Sequence, residues 1–234
     1  MRQVTYIAKK EFRTYFVSPM AYIVISIFLL VTGWFFFLAF FLNNQATLRH
    51  LFTLLPLIFS FVIPAITMRL FSEELNVGSY EILLTMPVTF VDVVLGKFLA
   101  GAAFVAAMLI PTLAYPITVS FLGPLDWGPV IGGYIGAVLL GAAFSAIGLF
   151  ASSLTRNQII AFIVGVAICF SFTLIDWMLF FIPRSILGFV QYLGMNFHFQ
   201  NISKGILDSR DILYFLSVSF VSLYGTYLVL QQRS

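Results

Sequence analysis

Charged side chains are scarce in this chain of 234 residues, of which twelve are Lys or Arg and nine are Asp or Glu. Hydrophobic residues make up 61% and aromatic residues 18%, and the mean hydropathy is +1.05. A water-soluble domain needs polar faces on its surface elements, and these residues are too few to form them. The composition therefore predicts a protein that lies within a lipid bilayer.

Residue types that carry chemistry are equally scarce. The single cysteine, Cys169, excludes a disulfide within the chain, and a packing role is expected for it. The two histidines, His50 and His198, lack a second ligand at a metal-binding spacing, and each is expected to be an interfacial or a hydrogen-bonding residue on the external side. No Gly-x-x-x-x-Gly-Lys-Ser/Thr phosphate loop is present. The chain is therefore not expected to be an enzyme or to hold ATP, a cofactor or a metal.

Six apolar runs are long enough to cross a bilayer as helices, for which about 20 residues are needed. They are residues 20–42, 51–70, 91–122, 130–154, 159–181 and 212–230. Each run is continuous rather than alternating, which argues against a membrane β-barrel. The predicted fold is all-α, a polytopic membrane protein with six transmembrane helices. Pro111 and Pro116 predict a kink or break in the long third run.

Lys and Arg near the span ends predict the orientation, because cytoplasmic loops are enriched in them. With the N-terminus inside, the cytoplasmic side holds Arg2, Lys9, Lys10, Arg13, Arg69, Lys97, Arg156 and Arg233. The outside holds Arg49, Arg184, Lys204 and Arg210. Both termini are therefore predicted to be cytoplasmic. The net charge of +3 is explained by this asymmetry, and no basic patch interleaved with aromatics indicates nucleic-acid binding.

Residues 1–18 predict an amphipathic helix at the membrane surface. One face is apolar and consists of Val4, Ile7, Ala8, Phe12, Tyr15 and Phe16. The other is basic and consists of Arg2, Lys9, Lys10 and Arg13. Glu11 falls on the apolar face, where it needs a basic partner from the bundle. The alternative is a charged flank without a fixed helix.

Three of the nine acidic residues, Glu73, Glu74 and Glu81, lie in one connector, residues 72–88. Ionisable residues within spans are typical of ion-coupled transporters, and here Asp176 is the only candidate, placed near the outer interface. The energy for any transport is therefore expected to come from a separate partner.

The same connector contains residues that are typical of the start and the end of a short helix. Gly78 breaks the chain, Ser79 can cap a helix over 80–85, and Pro87 ends it. Carboxylates would flank an apolar knob formed by Ile82, Leu83 and Met86. Such a knob suits a groove on a soluble partner, and a solvated connector is the alternative. Thr89 to Asp92 then has the form of a capping box.

Two further segments carry packing signals. Gly132 and Gly136 have the spacing that lets helices approach closely, within the chain, at a dimer face or along a pore. Residues 182–211 are apolar but interrupted by proline and glycine. Short external helices, re-entrant or lying in the interface, are expected there before the last span.

Three stretches resemble the permease subunits of type-2 (export-type) ABC transporters. They are IAKKEFRTYFVSP (7–19), EELNVGSYEILLTMPV (73–88) followed by Gly96-Lys97, and FHFQNISKGILDSRD (197–211). Within that family they are most similar to the gliding-motility-associated permeases. The resemblance implies an elbow helix over 1–18, a permease domain over 19–234 and a location in the bacterial inner membrane.

The resemblance also implies partners. A coupling helix would dock on a separate ATP-binding subunit, itself a dimer that holds ATP and Mg, and a second permease subunit, identical or homologous, would complete the complex. The coupling contacts would be Glu73, Glu74, Gly78, Tyr80, Glu81, Leu83, Leu84 and Pro87. A secondary contact would lie at Arg156, Asn157 and Gln158.

The function that the resemblance implies is ATP-driven export or envelope-directed movement. The alternative is a membrane anchor or mechanical element that transports nothing and acts on an auxiliary protein of the envelope. The residues do not separate these two functions, and they do not indicate a substrate.

Overall fold

A computed structural model describes residues 2–43, 45–78, 88–179 and 183–233, and all regular structure in these ranges is helical. The helices are α1 (Arg2–Val17), α2 (Pro19–Asn43), α3 (Arg49–Thr67), α4 (Arg69–Val77), α5 (Phe90–Leu109), α6 (Ala114–Leu122), α7 (Trp127–Leu154), α8 (Gln158–Met178), α9 (Arg184–Leu193), α10 (Met195–Ser203) and α11 (Ser209–Gln232). A 3-10 turn, Ile110–Leu113, joins α5 to α6.

Six helical runs in the described ranges are long and apolar enough to cross a membrane. They are Pro19–Leu42, Arg49–Val77, Phe90–Leu122, Trp127–Leu154, Gln158–Met178 and Ser209–Gln232. The predicted all-α fold with six spans is therefore confirmed. The second run continues to Val77 rather than ending near residue 70, because α4 follows α3 after one residue. Residues 72–77 of the predicted connector are thus helical.

The third span breaks where Pro111 lies, as the sequence predicts. Helix α5 ends at Leu109, and the 3-10 turn contains Pro111. Pro116 lies inside α6 and does not interrupt it. Helix α8, the fifth span, ends at Met178, three residues before the predicted end of that span.

Helix α7 lies at the centre and packs against α3, α5, α8, α10 and α11. Its glycines allow this close approach, since a Cβ on Gly141 would lie 2.4 Å from Val105 Cγ1 of α5. The core around it includes seven phenylalanine side chains that are at most 1% exposed, namely Phe28, Phe52, Phe59, Phe104, Phe144, Phe199 and Phe215. Burying such large apolar side chains fixes the arrangement of the helices.

Helix α1 packs along α5 with its apolar face. A Cβ on Gly96 would lie 2.7 Å from Ile7 Cγ2, so the absence of a side chain at Gly96 lets the two helices touch. The rings of Tyr15 and Phe16 contact Phe104, with centroids 4.9 and 5.7 Å away. The helix ends before Ser18, whose Oγ accepts a hydrogen bond from the Met20 backbone N–H at the start of α2.

Two short helices precede the last span. Helix α9 has a strongly amphipathic pattern and leaves Ile186 and Phe189 exposed. Helix α10 buries Met195, Phe199 and Ile202 completely and packs against α3 and α7. The predicted external segment is therefore partly inserted into the bundle.

Candidate functional site

The buried ammonium of Lys97 connects three helices at one end of the bundle, called here the α4 end. Lys97 belongs to α5 and is 1% exposed. Its Nζ lies 2.7 Å from Glu74 Oε1 of α4 and 3.6 Å from Glu11 Oε1 of α1. It also donates to the Leu70 carbonyl at 2.6 Å and lies 5.0 Å from the centroid of the Phe71 ring. A buried charge needs such compensation, and here it holds α1, α4 and α5 together.

Residues near Lys97 in the sequence determine where α5 begins and how closely α1 approaches it. A capping box begins α5, with the Asp92 N–H donating to Thr89 Oγ1 at 3.2 Å and the Thr89 N–H donating to Asp92 Oδ2 at 3.2 Å. The predicted capping box is therefore confirmed. Gly96, next to Lys97, has no side chain, so α1 can pack closely on α5 and bring Glu11 near Lys97. The basic partner that Glu11 was expected to need is Lys97, with Lys10 3.8 Å away on the other side.

The two neighbouring glutamates of α4 have different surroundings. Glu73 accepts two hydrogen bonds from the Arg69 guanidinium, at 2.8 and 3.2 Å, and both side chains are substantially exposed. Glu74 is only 19% exposed, faces Lys97, and its Oε2 has no hydrogen-bond partner. Glu73 can thus contact a partner, whereas Glu74 is part of the bundle's own packing.

A cavity of about 370 Å³ lies between α1 and α4 and opens to the protein surface. Three basic and three acidic side chains line it, namely Lys10, Arg69, Lys97, Glu11, Glu73 and Glu74. Tyr15 forms part of its wall, and burial raises the pKa of this phenol, which is a hydrogen-bond donor to the Ile66 carbonyl. Because the charges balance, the cavity does not select ligands of one sign.

Gly78 caps the C-terminus of α4, and its φ of 76° lies in the left-handed region. Gly78 leads directly into residues 79–87, which lie outside the described residues. The predicted contacts Tyr80, Glu81, Leu83, Leu84 and Pro87 fall there, so the structure places only Glu73, Glu74 and Gly78 of that set.

The predicted secondary contact lies at the same end of the bundle. Asn157 caps α8 by accepting a hydrogen bond from the Ile159 N–H at 2.9 Å, and Arg156 beside it is exposed. Gln158 is the first residue of α8. The end of α11 is close by, because Arg233 donates to the Leu154 carbonyl at 2.8 Å.

The glycine pair of α7 contacts α10 of the same chain. A Cβ on Gly132 would lie 2.3 Å from the Ile202 carbonyl oxygen, and one on Gly136 would lie 3.1 Å from Ile202 Cγ2. The close approach that these glycines allow is therefore made within the chain.

A second buried polar cluster, which the sequence did not indicate, lies at the opposite end. His198 of α10 is fully buried, with Nδ1 2.6 Å from Asp211 Oδ1 and Nε2 2.9 Å from the Tyr192 carbonyl oxygen. A carbonyl only accepts, so Nε2 carries a proton. The Tyr214 ring stacks on the imidazole at 4.0 Å. Of the two roles expected for His198, interfacial or hydrogen-bonding, the hydrogen-bonding role is confirmed.

Six helices in the described part of the chain are long and apolar enough to cross a membrane, and they define the class: this is a multi-pass membrane protein. A family model described as ABC-2 family transporter protein matches residues 5–218, and the chain belongs to this family. Its members are membrane permease components of ABC transporters, which in general work with an ATP-binding subunit and as a pair of permeases. No curated protein matches the chain at a significant level.

Proposed function

We propose that this permease couples to a separate ATP-binding subunit through residues 72–88, and that ATP hydrolysis there drives export across the bacterial inner membrane. The α4 end would be cytoplasmic, as the distribution of Lys and Arg predicts. The observation that carries the proposal is the buried Lys97, which joins α4 to α1 and α5.

The physical argument concerns what happens when the connector moves. Helix α4 continues the second span and delivers the chain to residues 79–87. A force on that segment acts first on α4, whose Glu74 is bound to Lys97 of α5. Separating this pair would strand a buried charge, so α4 and α5 move together. Glu11 extends the linkage to α1, the predicted elbow helix.

The complex would contain two permease subunits, identical or homologous, and two ATP-binding subunits that hold ATP and Mg. In the described part of the chain, the interior is packed with buried apolar side chains. A substrate path therefore fits better between two permeases than through the middle of one.

Two charge reversals test the docking surface. The permease is reconstituted in lipid nanodiscs with a candidate ATP-binding subunit of an ABC transporter from the same organism, and binding and ATPase stimulation are measured. Glu81→Lys is expected to weaken binding at least tenfold, which corresponds to about 1.4 kcal/mol. Lys204→Glu, an exposed reversal near the opposite end, is the matched control. Equal binding by both variants would contradict docking at residues 72–88.

A mechanical element that transports nothing is the second candidate function. The stretches 7–19 and 73–97 favour it, because they resemble the gliding-motility-associated permeases. The movement of the permease would then act on an auxiliary protein of the envelope. A reconstituted complex that hydrolyses ATP but moves neither lipid nor glycan would support this function over export.

A further inference from the structure

The second span contains a break that is filled by a side chain from another helix. Helix α3 ends at Thr67, and α4 begins at Arg69. The backbone N–H groups of Phe71 and Ser72 both donate to Ser152 Oγ of α7, each at 3.0 Å. In an uninterrupted helix the Phe71 N–H would donate to the carbonyl of residue 67, an acceptor that it lacks in the first turn of α4. A side chain inserted into this ladder is a recognised cause of helix breaks.

The hydroxyl of Ser152 also bonds the residue at the break itself. It donates to the Met68 carbonyl at 2.7 Å, so it joins the residue between the two helices to the first turn of α4. Ser152 is fully buried, so water does not compete for these groups. Ser152 takes the place of a side-chain cap at the N-terminus of α4, because Met68 at the N-cap position makes no such hydrogen bond.

A second contact, one turn earlier in α7, fixes the end of α3. A Cβ on Gly148 would lie 1.9 Å from Thr67 Oγ1, so Thr67 packs directly on the α7 backbone. Gly148 and Ser152 lie on one face of α7, four residues apart. That face therefore contacts both α3 and α4 at the point where they separate.

The break also divides the hydrophobic core. Ile63 and Ile66, before the break, belong to the main cluster. Leu70, Phe71 and Leu75, after it, belong to a second cluster at the α4 end. Because the side chains on the two sides pack in different clusters, α4 can tilt with its own cluster while α3 stays in the main core.

We infer that Ser152 is a positioning residue for coupling, which holds the α3–α4 break as a hinge and passes displacement of α4 to α7. The inference rests on the proposed function, because coupling requires that α4 be moved from residues 72–88. The hydroxyl keeps the Phe71 and Ser72 amides hydrogen-bonded at the hinge, within a bilayer where an unpaired amide is costly. Since α7 contacts most other helices, its displacement reaches the whole bundle.

The test compares two adjacent serines in the full-length permease, alone and with its ATP-binding subunit in nanodiscs. Ser152→Ala removes the hydroxyl from the break. Ser153→Ala is the matched control, because Ser153 is equally buried but its hydroxyl donates within α7, to Phe150 at 2.7 Å. The measurements are hydrogen exchange of peptides covering 69–77, affinity for the ATP-binding subunit and stimulated ATPase turnover.

Ser152→Ala is expected to speed exchange at residues 71 and 72 about tenfold, the factor for one lost hydrogen bond. Stimulated turnover should fall by a similar factor while affinity stays within about twofold, because the docking surface is intact. Ser153→Ala should change none of the three. Exchange equal in the two variants overturns the hinge, and faster exchange with equal turnover overturns its role in coupling. If the wild-type permease binds no ATP-binding subunit, the proposed function fails, while the exchange measurement still decides the hinge.

Discussion

Lys97 and Glu74 form an ion pair inside the α4 end of the bundle, with 2.7 Å between Nζ and Oε1. The two residues belong to different helices, and only Glu74 retains partial exposure. A lysine at the end of a span often serves only to orient the protein in the membrane. Here the charge is turned inward, so it also determines how α4 and α5 are held together.

Lys97→Met tests the structural contribution of this pair. Methionine fills a similar volume, but Glu74 and Glu11 are left without their buried counter-charge. The expected loss of stability is about 3 kcal/mol, near the lower value for breaking a buried pair. Thermal unfolding of the permease in detergent measures it as a lower melting temperature.

Two further variants make this test specific. Lys10→Met removes a cation that contacts the same Glu11 but is 64% exposed, so it should cost less than about 1 kcal/mol. Adding Glu74→Gln to Lys97→Met should recover part of the lost stability, because the stranded charge is removed. A Lys97→Met protein as stable as the Lys10→Met protein would contradict a buried ion pair.

Glu73→Ala and Glu74→Ala should separate docking from packing. Glu73 belongs to an exposed pair with Arg69, and its removal should change stability by about 0.5 kcal/mol or less. Glu74→Ala leaves Lys97 with weaker compensation and should lower the melting temperature clearly. If Glu73 contacts the ATP-binding subunit, its variant loses affinity without losing stability. A Glu74→Ala protein that melts like the wild type would contradict this division.

Much of the fold was predictable because it follows from local composition. Continuous apolar runs identify six spans, and the capping box from Thr89 to Asp92 depends only on residues three apart. The helix of the second span runs on beyond residue 70, where the apolar run ends. Hydropathy falls at Glu73 and Glu74, but backbone hydrogen bonding does not depend on polarity, so helix α4 continues to Val77.

The arrangement of the site was less predictable because it depends on which way distant helices face. Lys97 was predicted only as a positive charge near a span end, and nothing local distinguishes it from an exposed lysine. Ser152 and Ser153 are adjacent and identical in type, yet only the first points into the break of another helix. His198 and Asp211 meet because α10 inserts into the bundle, which hydropathy does not reveal.

Gly96→Ala should displace α1 from α5. A Cβ there would lie 2.7 Å from Ile7 Cγ2 and 3.2 Å from the Val4 carbonyl oxygen, so the helices must separate. The expected cost is about 1–3 kcal/mol, typical of overpacking. Limited proteolysis within α1 should become faster. Gly101→Ala, also in α5, is the control, since its Cβ would meet Ser145 at an ordinary 3.5 Å. Equal proteolysis of both variants would contradict the packing of α1 on Gly96.

His198→Ala should destabilise the opposite end of the bundle. The change removes both imidazole hydrogen bonds and leaves the Asp211 carboxylate buried, with Oδ2 already without a partner. The expected loss is about 3 kcal/mol, measured by thermal unfolding. His50→Ala removes an exposed histidine and should stay within about 0.5 kcal/mol of the wild type. Similar melting temperatures for the two variants would contradict a buried His198–Asp211 pair.

The loss of stability caused by substituting Gly78 should depend on how well the new residue tolerates a left-handed backbone conformation, and not on the size of its side chain. The φ of 76° disfavours residues with a Cβ, although nothing lies within 4 Å of a Cβ at this position. Gly78→Asn should be nearly neutral, Gly78→Ala should cost about 1 kcal/mol, and Gly78→Val should cost more because β-branching disfavours this region further. Affinity for the ATP-binding subunit should follow the same order, since Gly78 sets the direction in which the chain leaves α4. A ranking by side-chain volume, with Ala better than Asn, would show that space rather than backbone conformation limits the position.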